Sequence, residues 1–123
     1  MPRTVAVIGA SSDRRKFGNK AVRAFHAHGE TVIPVNPHES VIEGLAAYPS
    51  VLAVPEPIDM ATMYVPPEVG ERLLDELARK GIPEVWLNPG SESPTLIARA
   101  RALGLNIIEA CSIVGIGDSP SRY

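Results

Sequence analysis

Near its start the chain reads Val5-Ala6-Val7-Ile8-Gly9-Ala10-Ser11-Ser12, an apolar run that passes directly into a glycine and two serines. Four consecutive apolar residues are typical of a strand that is buried on both faces of a parallel sheet. The glycine allows a tight turn off the strand, and a polar loop then leads to a helix-period segment after Gly18. A strand, a glycine turn and a helix in this order predict an α/β fold.

The rest of the chain repeats this alternation. Further short apolar runs occupy residues 31–35, 60–65, 85–87 and 105–108. Apolar stripes with helical spacing are formed by Ala21, Val22, Ala24 and Phe25, by Leu73, Leu74, Leu77 and Ala78, and by Leu96, Ile97, Ala100 and Leu103. The helical segments end at Gly29, Gly81 and Gly104, where glycine adopts the left-handed conformation that closes a helix. Repeated helix–glycine–strand order indicates right-handed βαβ crossovers and predicts a doubly wound, mainly parallel five-stranded sheet with helices on both faces.

Two stretches are less regular. Prolines interrupt residues 41–57, which we expect to form a loop with one short edge strand or turn near residues 45–48. Residues 112–123 predict one short helical turn followed by a frayed tail.

The composition restricts the class of protein. The length of 123 residues fits a single domain over residues 1–123, and a net charge of −2 with mixed acids and bases disfavours a nucleic-acid partner. No run approaches the ~20 apolar residues that span a bilayer, and the first strand begins too early for a leader peptide, so we expect a cytoplasmic protein with no membrane partner. The single cysteine agrees with a reducing compartment. We expect no metal site, because His26 and His28 point to different faces of a helix.

The loop after the first strand is a candidate anion site. Gly9 provides the turn, Ser11 and Ser12 offer hydroxyl and N–H groups, and the helix start after Gly18 offers free N–H groups and a partial positive charge. These features suit a diphosphate, and the alternative is an ordinary strand–helix loop with a serine cap. We expect Gly9→Val to abolish ligand binding with the fold retained, because a side chain would stand where the backbone meets phosphate.

The spacing departs from the dinucleotide fingerprint. That pattern requires G-x-G-x-x-G, but Ser11 stands at the second glycine position and Arg14 at the third. A NAD site also places an acidic residue at the end of the second strand, where this chain has Asn36 and no acid before Glu39. A nicotinamide dinucleotide is therefore disfavoured.

Four stretches of the chain carry a family resemblance. They are Val5-Ala6-Val7-Ile8-Gly9-Ala10-Ser11-Ser12, Val32-Ile33-Pro34-Val35-Asn36-Pro37, Ala47-Tyr48-Pro49-Ser50-Val51 and Val85-Trp86-Leu87-Asn88-Pro89-Gly90. Together these stretches resemble the small stand-alone CoA-binding proteins. This family is related to the CoA-binding domains of the succinyl-CoA synthetase α subunit and of ADP-forming acyl-CoA synthetases. The resemblance covers nearly the whole chain, in family order, and implies a Rossmann-like sheet with CoA or an acyl-CoA across the carboxyl ends of its strands.

The resemblance also implies the residues that border the ligand. The phosphate loop would comprise Gly9, Ala10, Ser11, Ser12, Lys16 and Gly18, the adenosine border Val35, Asn36 and Pro37, and the later strand ends Val65, Pro66, Pro67, Asn88, Pro89 and Gly90. Arg14, Arg15 and Lys16 either pair with the CoA phosphates or form a solvated loop. Cys111 is either a small buried hydrophobe or a thiol that meets the CoA sulfur.

The functional expectation is therefore a non-catalytic carrier, sensor or partner module that binds CoA or an acyl-CoA. No nucleophile–base–acid set is visible, so we assign no catalytic residue and expect no catalytic activity from the chain alone. One alternative is an NAD(P)-binding oxidoreductase or redox regulator. Another is a CoA-dependent transferase component that acts with a second chain. The acyl group and the oligomeric state are open.

Overall fold

The apolar runs form one parallel sheet in the computed structural model, which describes residues 2–123. The elements are β1 (Thr4–Ile8), α1 (Phe17–Ala27), β2 (Thr31–Val35), β3 (Val41–Ile42), β4 (Leu45–Ala46), β5 (Met60–Met63), α2 (Pro67–Lys80), β6 (Val85–Leu87), α3 (Pro94–Ala102), β7 (Ile107–Glu109) and α4 (Ser112–Gly115), with 3-10 turns at Val51–Ala53 and Pro120–Arg122. The sheet has the strand order β2-β1-β5-β6-β7, and every pairing in it is parallel. The predicted five-stranded, doubly wound α/β class is confirmed.

The interior strand β1, which lies between β2 and β5, separates two apolar layers. Val5 and Val7 pack into the layer that contains α1 and α4, whereas Ala6 and Ile8 pack into the layer that contains α2 and α3. All four side chains are at most 3% exposed. Alternate residues of the strand thus face opposite helical layers, which explains why its sequence is continuously apolar.

The predicted helix ends are confirmed. Gly29, Gly81 and Gly104 have φ angles of +81°, +74° and +80°, in the left-handed region that favours glycine. Ser93 caps α3, since its Oγ accepts a hydrogen bond from the Leu96 N–H at 3.1 Å, and Pro94 occupies the first helical position.

Residues 41–57 are more ordered than the sequence predicts. β3 and β4 form a two-stranded antiparallel hairpin, separate from the main sheet. Within residues 45–48, where we expect a short edge strand or turn, Tyr48 forms a single parallel bridge to Val35 at the end of β2. The turn of the hairpin places Glu43 at φ +50° and Gly44 at φ +76°. Both central turn residues have positive φ, the geometry that matches the twist of a two-residue hairpin. The Glu43–Gly44 pair is not one of the usual Asn-Gly or Asp-Gly signals, so the pattern did not indicate a hairpin.

The expectation of a frayed tail is wrong. Asp118 is only 8% exposed and accepts hydrogen bonds from Tyr123 Oη at 2.6 Å and from Arg122 at 3.0 Å. His28 Nε2, at the end of α1, lies 2.9 Å from the same carboxylate. These bonds lower the pKa of Asp118, first of all the one from the Tyr123 hydroxyl. The last six residues are therefore held against α1 by a buried carboxylate that the apolar pattern does not reveal.

Candidate functional site

The candidate site lies at the switch point of the sheet, where the chain leaves β1 toward β2 on one side and later returns to β5 on the other. Gly9 follows β1 with φ +89°, and its N–H donates to the Val35 carbonyl oxygen at 3.2 Å. Tyr64 follows β5, and its N–H donates to the Ile8 carbonyl oxygen at 2.8 Å. The turns after β1 and β5 are each tied to a neighbouring strand by one of these hydrogen bonds, and a groove lies between the two turns.

This groove encloses about 510 Å³, within the ~300–1,000 Å³ range of small-molecule sites. Lys16 is its one cation among the described lining residues, and α1 begins beside it at Phe17 with no side-chain cap. The first N–H groups of α1 therefore lack an intrahelical partner and carry a partial positive charge, an arrangement that binds phosphate. The lining residues are Gly9, Ala10, Ser11, Lys16, Phe17, Gly18, Asn36, Tyr64, Val65, Pro66, Pro89, Gly90 and Ser91.

A second cavity of about 150 Å³, which we call the apolar slot, adjoins the groove. Its lining is Ile8, Gly9, Val35, Pro37, Pro49, Ser50, Val51, Val65, Val69, Leu73, Glu76 and Leu77. Gly9 and Val65 line both cavities, so the slot and the groove meet at these two residues. A ligand with an apolar ring and attached phosphates can occupy both spaces at once.

The phosphate loop is braced by its own side chains. Ser11 Oγ accepts a hydrogen bond from the Asp13 N–H at 3.0 Å, and the Asp13 carboxylate accepts bonds from the Arg15 guanidinium at 3.0 and 3.1 Å. The Arg15 side chain, together with its backbone N–H, lowers the pKa of Asp13 to about 2. Arg14 pairs with Glu43 at 3.4 Å. Both arginines are thus engaged by carboxylates and lie outside the groove lining.

Asn36 connects the end of β2 to the phosphate loop. Its Nδ2 donates to the Ala10 carbonyl oxygen at 2.9 Å, while its Oδ1 accepts from the N–H groups of His38 and Glu39. The Glu39 carboxylate in turn accepts a hydrogen bond from the Ser12 N–H at 3.1 Å, and the bonds from Ser12 lower the pKa of Glu39. Asn36 and Glu39, which follow β2, are therefore both hydrogen-bonded to the backbone of the phosphate loop.

Gly9 and Gly18 are required by close packing within the protein. A Cβ on Gly9 would lie 2.5 Å from the Tyr64 carbonyl oxygen, and a Cβ on Gly18 would overlap with the Gly9 carbonyl oxygen. The expectation that Gly9→Val retains the fold is therefore wrong, because the side chain would meet the backbone after β5. In the dinucleotide fingerprint the third glycine allows close packing of helix and strand, and its position falls on Arg14 in this chain. Here Gly18 has that packing role.

The remaining predicted site residues divide between the cavities. The groove collects Gly9, Ala10, Ser11, Lys16, Gly18, Asn36, Val65, Pro66, Pro89 and Gly90, and the slot adds Val35 and Pro37. Asn88 is 2% exposed and reaches only a smaller cavity beside the groove. Ser12 and Pro67 line none of these cavities: Ser12 is bonded to Glu39, and Pro67 starts α2. Within residues 2–123, no cluster of three or more His, Cys, Asp or Glu side chains is arranged as a metal site.

Comparison with known proteins identifies the family. The sequence model of the CoA-binding domain family matches residues 3–117, which is nearly the whole chain. This chain belongs to the CoA-binding domain family. The curated relatives of this domain include acetate–CoA ligase [ADP-forming] I of Archaeoglobus fulgidus, 40% identical over 81 residues, a match that covers 66% of the chain and 12% of the ligase. Subunit alpha of acetate–CoA ligase [ADP-forming] I of Pyrococcus furiosus is 30% identical, with 98% of the chain and 29% of the subunit covered.

Solved structures share the fold of this CoA-binding domain. A conserved hypothetical protein from Pyrococcus furiosus matches with a TM-score of 0.85 and 33% identity, over 92% of this chain and 98% of that one. The apo form of the dinucleotide-forming acetyl-coenzyme A synthetase 1 of Ca. Korarchaeum cryptofilum matches with a TM-score of 0.78 and 27% identity, over 89% of this chain and 26% of the synthetase. The chain thus spans only 12% of the first ligase and about a quarter of this synthetase, but nearly all of the small protein.

A buried polar network beneath the groove of this CoA-binding domain was missed by sequence reasoning. Asn88 Nδ2 donates to Thr62 Oγ1 at 2.7 Å and to the Met63 carbonyl oxygen at 2.8 Å, and its Oδ1 accepts from the Ser112 N–H at 2.8 Å. The Ser112 hydroxyl bonds to Thr62 Oγ1 at 2.7 Å and to Tyr64 Oη at 3.1 Å. Burial raises the pKa of Tyr64, so its phenol stays protonated. The network joins the ends of β5 and β6 to α4 and fixes the floor of the site.

Asn19 is a second residue that the sequence did not single out. It is fully buried in α1, and its Nδ2 donates to the Ser11 carbonyl oxygen at 2.8 Å and to the Glu43 carboxylate at 3.0 Å. Its Oδ1 accepts from Arg23 Nε at 2.7 Å, and Arg23 also donates to the Arg14 carbonyl oxygen at 2.9 Å. A polar residue in an otherwise apolar helical stripe is the signal that could have indicated it.

Proposed function

We propose that this chain binds CoA or an acyl-CoA as a non-catalytic module, in the role of a carrier, a sensor or the CoA-binding part of a larger assembly. The observation that carries the proposal is the meeting of the apolar slot and the groove at Gly9 and Val65. CoA has a flat aromatic base, a diphosphate and a long pantetheine arm. The ring faces of the base suit the apolar slot, and the diphosphate suits the groove beside it.

Individual residues support this ligand. Val35, Pro37 and Val65 offer apolar contact to the adenosine, and Glu76 is the one charged group among the described residues of the slot. At the phosphates, Lys16 offers a charge-assisted hydrogen bond, and the uncapped start of α1 adds backbone N–H groups. The site therefore combines apolar contact at one end with positive potential at the other.

A nicotinamide dinucleotide fits the same residues less well. A NAD site uses a carboxylate after the second strand to bond the ribose diol. Asn36 stands there, and its amide is already bonded to Ala10, His38 and Glu39. The Glu39 carboxylate is bonded to the loop at Ser12. A dinucleotide would have to break these bonds to obtain its ribose contact.

For any reaction of the bound CoA, we propose that a second chain supplies the catalytic residues. The groove lining contains no His, Cys, Asp or Glu among the described residues. Two of the curated relatives are named as alpha subunits of acetate–CoA ligases. A CoA-dependent transferase component that acts with another polypeptide is therefore the second candidate function. A pull-down with purified candidate ligase subunits, with and without CoA, tests this candidate function. If the chain associates with no subunit in either condition, the result counts against it.

Titration calorimetry and thermal unfolding with CoA, NAD, NADP and ATP test the primary proposal. A ligand that binds only the native state at ~100 times its Kd stabilises the protein by roughly 2.7 kcal/mol, which produces a clear rise in Tm. We expect that rise with CoA and a smaller one with NAD. A larger shift with NAD than with CoA would overturn the assignment.

A paired substitution locates the binding. Lys16→Gln removes the cation of the groove and is expected to weaken CoA binding about tenfold, a loss of ~1.4 kcal/mol. Arg101→Gln is the matched control, because Arg101 is exposed on α3 and lines none of the cavities described above. Equal losses in the two variants would indicate a general charge effect rather than a contact in the groove.

A further inference from the structure

A third cavity of about 170 Å³, which we call the end pocket, adjoins the groove. It is lined by Phe17, Tyr64, Asn88, Pro89 and Cys111, of which Phe17, Tyr64 and Pro89 also line the groove. The end pocket shares no lining residue with the apolar slot. The groove therefore connects two smaller cavities, with the slot at Gly9 and Val65 and the end pocket at Phe17 and Tyr64.

The surface of the end pocket is apolar in character. Phe17 lines the pocket and is 55% exposed, so its ring offers apolar surface that an occupant can cover. The polar groups at the pocket are satisfied by the protein, since the Asn88 amide is shared between Thr62, Met63 and Ser112, and the Tyr64 hydroxyl bonds to Ser112. An occupant would gain mainly apolar contact and would cover the exposed ring.

Charge restricts the occupant further. Within residues 2–123, no lysine, arginine or histidine lines the end pocket. The Lys20 ammonium lies over the Phe17 ring, 5.1 Å from its centroid, and is outside the lining. A carboxylate in the pocket would lack a cationic partner there, and burial of an unpaired charge is costly. The pocket therefore favours an uncharged group.

We propose that the end pocket holds the acyl group of a short, uncharged acyl-CoA. The inference rests on the proposed function: with the nucleotide in the slot and the phosphates in the groove, the pantetheine arm continues along the groove toward Phe17 and Tyr64. A closed apolar cavity of about 150 Å³ accommodates a molecule of the size of benzene. A pocket of about 170 Å³ is thus suited to acyl groups of about two to six carbons and too small for longer chains.

Calorimetric titration with a series of CoA derivatives tests this proposal. The series is CoA, acetyl-CoA, butyryl-CoA, hexanoyl-CoA, decanoyl-CoA and succinyl-CoA. We expect affinity to rise from CoA to butyryl-CoA by about tenfold, because added methylenes leave water for the pocket. Decanoyl-CoA is expected to bind no more tightly than hexanoyl-CoA, and succinyl-CoA no more tightly than CoA. Equal affinity across the series would overturn the end pocket as the acyl site, and so would tighter binding of succinyl-CoA than of butyryl-CoA.

Two variants connect the effect to the pocket. Cys111→Leu fills part of the space, so the ratio of butyryl-CoA affinity to CoA affinity is expected to fall close to one. Val114→Leu enlarges an exposed apolar residue of α4 outside the pocket and is expected to keep the wild-type ratio. Should Cys111→Leu fail to fold, Phe17→Ala removes an exposed wall of the pocket and is expected to reduce the same ratio. A wild-type ratio in a folded Cys111→Leu or Phe17→Ala protein contradicts the proposal.

Failure of this inference is separable from failure of the proposed function. If CoA binds and chain length has no effect, the end pocket is not the acyl site and the CoA assignment stands. If neither CoA nor any acyl-CoA binds, the proposed function is wrong and the inference falls with it.

Discussion

Gly18, in the first turn of α1, packs directly against the carbonyl group of Gly9 at the end of β1. A Cβ on Gly18 would overlap with the Gly9 carbonyl oxygen and would lie 3.3 Å from the Ala10 Cα. The contact holds the start of α1 against the turn that borders the groove. The third glycine of the dinucleotide fingerprint has the same role of close helix–strand packing, although here a longer loop separates it from the first glycine.

The first prediction follows from this contact. Gly18→Ala is expected to lower the free energy of unfolding by about 2 kcal/mol, because α1 must shift to admit the methyl group, and to weaken CoA binding about tenfold. Urea unfolding and calorimetry measure the two effects. Gly29→Ala is the control: no atom lies within 4 Å of its Cβ position, so only the left-handed φ of +81° opposes it, at a cost of roughly 1 kcal/mol and without effect on CoA binding. A Gly18→Ala protein with wild-type stability would show that the helix start is not fixed by this contact.

The Gly9–Gly18 contact also shows what sequence spacing can and cannot reveal. Gly9 was predicted because a strand, a glycine and serines are adjacent in the chain, and Gly29, Gly81 and Gly104 because each stands between a helical stripe and an apolar run. The role of Gly18 depends on the path of the loop between residues 9 and 18. Local patterns therefore predicted the elements, the parallel sheet and the edge that carries the site, but not the packing across the loop.

Long-range polar pairs are the other part that the sequence did not reveal. Asn19 lies in α1 and Glu43 in the β3–β4 hairpin, whereas His28 directly follows α1 and Asp118 lies in the tail. Each pair exists only once the fold brings distant segments together. A single sequence contains no signal for which carboxylate meets which amide or imidazole, so the hairpin and the docked tail were both underestimated.

The second prediction concerns Asn19 as a positioning residue. Asn19→Ala removes three hydrogen bonds of a buried amide, to Ser11, Glu43 and Arg23, and is expected to lower the free energy of unfolding by about 1–3 kcal/mol. It is also expected to weaken CoA binding about tenfold, because the Ser11 carbonyl is no longer held. Asn106→Ala, at an exposed position, is the control for both measurements. Wild-type CoA affinity in a destabilised Asn19→Ala protein would mean that other contacts suffice to hold the loop.

The third prediction is a pH dependence from Asp118. The hydrogen bond from the Tyr123 hydroxyl has the largest effect, and it holds the pKa of Asp118 below its unfolded value of ~3.9 together with bonds from the Ser119 N–H and His28 and the charge of Arg122. Because the folded pKa is the lower one, the stabilisation is fully present above about pH 4 and is lost as pH falls toward the folded pKa. The difference in Tm between the wild type and Asp118→Asn is therefore expected to be largest above pH 4 and to shrink in more acidic buffer.

The control for this measurement is Asp75→Asn, an exposed substitution on α2 that is expected to leave Tm close to the wild-type value throughout. Since His28 Nε2 lies 2.9 Å from the same carboxylate, the comparison is repeated in a His28→Gln background, which replaces the imidazole with a neutral amide. A Tm difference for Asp118→Asn that grows on acidification would contradict the assigned sign.

The last prediction concerns the thiol of Cys111, which is partly exposed and lines the end pocket. If CoA occupies the groove as proposed, its sulfur end lies near this thiol. We therefore expect the wild type to react with CoA disulfide: the Cys111 thiolate attacks one sulfur, the CoA–CoA disulfide bond breaks, a protein–CoA disulfide forms, and the second CoA leaves as a thiolate that takes up a proton. Intact-mass spectrometry detects the adduct as one added CoA that a reductant removes. Glutathione disulfide, which has no nucleotide to direct it, is expected to react about tenfold more slowly or less. Cys111→Ser should form no adduct with either reagent. Equal rates with the two disulfides would show that the thiol is merely accessible, and a wild-type protein that forms no adduct would place Cys111 among the packing residues of the α1–α4 layer.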